Sequence, residues 1–178
     1  MNQITNALPE LRDKVRRAFG SAVYPGDENL VTGSDPECFE IAAALRGREW
    51  SSVSPTLVRE CAEALPLLTP AAFCYYLPAY LLACIDAREQ IDVAWDSVIF
   101  NLTPSPARES WQRRFRIRTD GFTALQAEAI TAVLELMEER EHADWETAGM
   151  KRAESSVAPA LLYWKERMAL PPQEPLPG

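Results

Sequence analysis

The 178-residue chain has one histidine, His142, and no C-x-x-C pair among its four cysteines, Cys38, Cys61, Cys74 and Cys84. Histidine-based acid–base or triad chemistry would therefore rest on a single imidazole. Glu139-Arg140-Glu141-His142 spells Glu-x-x-His once, half of a di-iron carboxylate motif that needs a second such pair and two more carboxylates. The cysteine spacing suits neither a zinc site nor a disulfide framework and reads as reduced core thiols. G-x-S-x-G, P-loop and G-x-G-x-x-G motifs are absent. These patterns point to no catalytic residue, cofactor or metal, and the chain reads as a non-enzyme. The N-terminal MNQITNALPELRDKVRR has no apolar h-region, so no signal peptide is expected and the cytoplasm is the default compartment.

Positive charge is also scarce, with 18 Lys and Arg against 26 Asp and Glu for a formal charge of −8. A net acidic surface repels nucleic acid and anionic membranes and favours a basic partner. Long hydrophobic runs are missing too. The most apolar stretch, LTPAAFCYYLPAYLLACIDA at 68–87, contains three tyrosines and Pro78, and Asp86 and Arg88 bound it. It falls short of the roughly 20 apolar residues a membrane span requires.

What is present is helical patterning. At 47% hydrophobic and 25% charged, the composition is globular, and the length allows roughly 70% of the unfolded surface to be buried. Ile4, Leu8, Leu11, Val15 and Phe19 recur at helical steps, with Pro9 marking a first turn or a kink. YPGDENLVTGSDP reads as a loop. Asp35-Pro36, Ser54-Pro55 and Thr69-Pro70 are successive cap-then-proline starts. The first opens a helix with Phe39, Ala42, Ala43 and Leu45 inward and Gly47 at its end. The second carries Leu57, Val58, Cys61 and Leu65. The third opens the apolar stretch, which is hydrophobic on every side and so reads as a central helix buried all round, kinked at Pro78.

Further helices are expected over about 90–102, 123–142 and 156–168. TPSPARESWQ reads as a proline-rich break, partly helical at most. RRFRIRTDGF alternates charged and apolar residues, so 113–118 reads as a short extended segment with Arg114, Arg116 and Arg118 on one side. The expectation is one all-α domain of six or seven helices over residues 1–170, followed by a flexible Pro-rich tail, 171–178.

The words LTPAAFCYYLPAYLLACI, VIFNLTP at 98–104 and DPECFEIAAALRGREW at 35–50 resemble a widespread bacterial family of unknown function. Its members share a TP-x-A-F-x-Y-Y-L-P-A-Y core, matched most specifically at Tyr75, Tyr76, Leu77, Pro78 and Tyr80 over a resemblance spanning roughly 35–140. The resemblance implies a bacterial source and a helical fold, and it assigns no catalytic residues.

Two acidic faces carry the functional reading. A helix over 86–101 would place Asp86, Glu89, Asp92 and Asp96 on one arc, opposite Ile91, Trp95, Val98 and Leu102. On the 123–142 helix, Glu128, Glu135, Glu138 and Glu139 share an arc opposite Leu125, Ala129, Val133 and Leu136. Such faces are either solvated or landing surfaces for a basic protein, with Trp145 a candidate anchor. The expected function is stoichiometric binding of a basic protein partner. By analogy of type, that is an immunity protein neutralising a basic antibacterial toxin such as a nuclease. Two alternatives are an enzyme or small-ligand protein with a pocket near Tyr75, Tyr76 and Tyr80, and nucleic-acid contact through Arg113–Arg118.

Overall fold

Each cap-then-proline word starts a helix in the computed structural model, which describes residues 2–91, 93–105, 108–150 and 154–169. The Asp35 carboxylate accepts from the Cys38 amide at 3.0 Å and opens α2, Pro36–Leu45. Ser54 Oγ accepts from the Leu57 amide at 3.2 Å and opens α3, Pro55–Glu60. Thr69 Oγ1 accepts from the Ala72 amide at 3.1 Å and opens α4, Pro70–Asp86. Each cap satisfies an amide that the first helical turn leaves without an intrahelical acceptor.

Around these lie α1 (Asn2–Phe19), α5 (Arg88–Ile91), α6 (Val93–Leu102), α7 (Glu109–Thr119), α8 (Ala124–Thr147) and α9 (Ala158–Ala169). The described residues are thus all-helical, with nine α-helices rather than six or seven and no strand. The only sheet-like pairing among them is an isolated antiparallel bridge between Val31 and Leu68. There the Thr32 amide donates to the Leu67 carbonyl at 2.8 Å, pinning the long loop to the start of α4.

The central helix is α4. It buries Phe73, Tyr75, Tyr76, Leu77, Tyr80, Leu81, Ala83, Cys84 and Ile85, side chains pointing in every direction around its axis. It touches α1, α3, α5, α6, α7 and α8, which is why no face of it could be polar. Each fully buried leucine or phenylalanine there contributes about 1.5–3 kcal/mol of transfer free energy. The tyrosine hydroxyls find backbone acceptors. Tyr76 donates to the Leu45 carbonyl at 2.7 Å and the Arg48 carbonyl at 3.0 Å, and Tyr80 donates to the Cys61 carbonyl at 2.6 Å.

Several expectations are corrected. RRFRIR is helical, because it lies in α7, and a helical turn separates what an extended segment would have aligned. Phe115, Arg118 and Thr119 turn inward, while Arg114, Arg116 and Ile117 face outward. Residues 86–101 are not one helix: α4 ends at Asp86, Ala87 leaves the helical region at φ −140°, and α5 begins at Arg88. On α2 the buried stripe is Cys38, Ile41 and Leu45, a clean three-then-four spacing, and Phe39 is 64% exposed. Leu125, in the first turn of α8, is 64% exposed instead of packed. Pro9 lies inside α1, whose helix begins upstream at Asn2. The Ile4 side chain, Asp92 and the 171–178 tail lie outside the described residues.

Candidate functional site

The acidic residues chosen from sequence are dispersed, and several are neutralised by neighbours. Asp86 receives the Arg12 Nε–H of α1 at 2.5 Å. Glu135 pairs with Lys165 of α9 at 2.9 Å. Asp86 and Glu89 line a hollow of about 380 Å³ at the end of α4, together with Arg88, Arg140 and Asp144. The cations there are held tightly. Arg140 donates to the carbonyls of Cys84 and Ile85 at 2.7 and 2.9 Å, satisfying the C-terminal end of α4. Arg88 pairs with Asp144 and stacks on Trp95, 4.5 Å from the ring centroid. This hollow is charge-compensated. Glu128, Glu135 and Glu139 are exposed along α8 and Glu138 is half-buried, while Trp145 is half-buried with its ring 5.3 Å from that of His142. Glu141, next to His142, accepts from the Ser155 hydroxyl at 2.5 Å and the Ser156 amide at 3.1 Å, tying α8 to the chain leading into α9.

Asp96 stands apart from Asp86 and Glu89 and joins acids that the sequence reading did not single out. Helices α2 and α3, with the turn after α3, surround a groove of about 490 Å³ rimmed by Glu37, Glu40, Glu60 and Glu63. Its floor is apolar, formed by Ile41, Ala44, Leu57 and Val93, and its one basic lining residue is Arg59. A second hollow of about 420 Å³ shares Glu37, Glu63 and Val93 with the first and adds Asp96, Leu67 and Phe100. The two form one continuous trough. Among the described residues none of its five carboxylates has an ion-pair partner, and Val93 and Phe100 are 49% and 62% exposed. Such a surface can receive a cationic segment that also carries apolar side chains: carboxylates at the rim meet Lys or Arg, and the floor takes the rest.

The signal that could have found it is modest. Glu37 and Glu40, and likewise Glu60 and Glu63, are three apart, so each pair sits on one side of its helix or turn. That both pairs line one groove depends on tertiary packing, which no spacing reveals.

Of the three tyrosines in the alternative reading, Tyr76 and Tyr80 give their hydroxyl protons to backbone carbonyls, while the buried Tyr75 is held by ring contacts to Tyr24 and Tyr76. Burial pushes the Tyr76 and Tyr80 phenols above the ordinary tyrosine range. Burial likewise raises the thiols of Cys38, Cys61 and Cys74, and it pushes Cys84 up to about 12. These are poor nucleophiles at neutral pH. Among the described residues no three His, Cys, Asp or Glu side chains are grouped to hold a metal ion. No helix of the described residues is long and apolar enough to cross a membrane.

No curated protein and no solved structure matches the chain. A family model does match, over residues 10–168, and the chain belongs to that family, one of unknown function (DUF6714).

Proposed function

We propose that this protein is a stoichiometric protein-binding module whose docking site is the trough between α2, α3 and α6. The observation that carries the reading is five carboxylates without ion-pair partners among the described residues, around apolar side chains of which Val93 and Phe100 are exposed. The partner is a basic protein presenting Lys or Arg interleaved with apolar side chains. In its most concrete form it is a basic toxin such as a nuclease, which this protein neutralises by covering its cationic surface. Binding of that kind needs no catalytic group. Four free cysteines, three of them buried, support a reducing, cytoplasmic setting.

The test is capture of partners from source cells by the tagged protein, followed by affinity measurement with Glu60→Lys/Glu63→Lys and with Glu138→Lys/Glu139→Lys. A single basic protein lost by the first pair and kept by the second supports the trough. Retention by the first pair and loss by the second would move the docking site to α8.

A further inference from the structure

A further groove differs from the acidic trough, whose one basic lining residue is Arg59, in that its charged lining residues among the described ones are all cations. It runs between α7 and the Pro66–Pro70 turn, has a volume of about 360 Å³, and its charged lining residues are Arg113, Arg114 and Arg118. No acidic residue among the described ones lines it, although the chain carries 26. Its walls are Pro66, Leu68, Pro70 and Ile117.

Arg118 is the unusual member. It is 7% exposed, and none of its partners among the described residues is a carboxylate. Nη1 donates to Asn101 Oδ1 at 3.0 Å, Nη2 donates to the Leu65 carbonyl, and the guanidinium lies over the Phe73 ring, 4.1 Å from its centroid. The buried Nε–H has no acceptor among the described residues. A buried cation matched only by neutral dipoles is an incompletely compensated charge, because carbonyls and a ring face offset only part of its desolvation. Burial, then the neighbouring Arg114, pull its pKa down to about 10. The positive end of the α4 dipole opens nearby, since Pro70 is both the first residue of α4 and part of the groove wall.

We propose that this groove binds an oxyanion carried on a short aliphatic body, its head held by Arg113, Arg114 and Arg118 and its body laid against Leu68, Pro70 and Ile117. Carboxylate and phosphate share the required chemistry: a compact negative head that accepts from guanidinium donors. The site does not depend on the protein-docking trough, and it is tested without any partner protein.

The experiment is a titration of the intact protein followed by backbone amide NMR, with five probes: hexanoate, hexyl phosphate, inorganic phosphate, hexanol and a short single-stranded oligonucleotide. Saturable shifts confined to residues 66–70 and 110–118 are expected with hexanoate or hexyl phosphate. Whichever binds more tightly names the head group. Hexanol and inorganic phosphate should each bind at least about tenfold more weakly, because each lacks one half of the recognition. Arg113→Gln/Arg114→Gln removes two exposed side chains and leaves Arg118 to the fold. It should weaken the charged probes about tenfold and reduce their salt dependence. Absence of saturable shifts overturns the proposal. So does hexanol binding as well as hexanoate, or a double variant that binds like the parent protein. A short single-stranded oligonucleotide binding more tightly than hexyl phosphate would overturn it in favour of nucleic-acid contact.

Discussion

Arg140 of α8 donates through Nη2 to the carbonyl oxygen of Ile85 at 2.9 Å, and through Nη1 to that of Cys84, so a side chain from another helix finishes the C-terminal end of α4. The bond type is charge-assisted and the location is a helix C-terminus, where a cation also meets the negative end of the dipole. Arg140→Ala should therefore destabilise the fold by about 1.5–3 kcal/mol, the range for a hydrogen bond made by a charged group. Arg140→Lys should recover only part, because an ammonium cannot span two carbonyls in the same plane. Urea unfolding midpoints of the two variants check the order.

Tyr76 and Tyr80 are used as hydrogen-bond donors inside the core. Tyr76→Phe leaves the Leu45 and Arg48 carbonyls without that donor, and Tyr80→Phe does the same to Cys61. Each substitution keeps the ring and its packing, and the Leu45 and Cys61 carbonyls still accept from the Arg48 and Ala64 amides at 3.1 and 3.0 Å, so the expected loss is that of a net hydrogen bond, about 0.5–1.5 kcal/mol. Unchanged unfolding midpoints would show that these hydroxyls carry no net stability.

Alkaline pH should weaken the fold. Cys84, raised by burial from 9.0 to about 12, and Tyr76 and Tyr80, raised by burial from 10.0, keep their protons more firmly when folded. Above the unfolded-state values the unfolded chain binds fewer protons, so stability falls as pH rises from about 9 toward 12. Arg118, lowered by burial to about 10, acts with the opposite sign and offsets part of the loss above that pH. Equilibrium unfolding measured at successive pH values tests the slope. Cys84→Ala should make the slope above about pH 9 shallower without abolishing it, because burial also raises the Cys38, Cys61 and Cys74 thiols.

Charge reversal in the trough should separate binding from folding. Glu60 and Glu63 are exposed and have no ion-pair partner among the described residues, so Glu60→Lys/Glu63→Lys should shift stability by no more than about 0.5 kcal/mol. The same pair should lower affinity for a captured basic partner about tenfold at low salt and less at high salt. Asp86→Asn, which breaks the contact to Arg12, should show the reverse pattern, with partner affinity kept and thermal stability slightly reduced.

Much of the helical fold is legible in the residues themselves. Asp35, Ser54 and Thr69 each precede a proline, and all three cap helices, because capping is decided within four residues. The capping box at Thr123 and Gln126 starts α8 for the same reason. The apolar composition of 70–85 already required burial on every side, and the YYLPAY words already pointed to the family of unknown function to which the chain belongs.

Local pattern failed where two conformations share a pattern. RRFRIR alternates like a strand, yet its neighbours make it a helix, and the packing of Arg118 over Phe73 is then what turns that arginine inward. The acidic trough was missed for a related reason. Its carboxylates come in short pairs from α2 and from the end of α3 and the turn after it, and Asp96 joins them from α6, distant in sequence. Helix starts, buried stripes and net charge are set by neighbours within a few residues, and the sequence by itself determined them. Which charges meet depends on how distant helices pack, so only the tertiary structure decided where this protein is acidic, where it is basic and which charges are already spent on the fold.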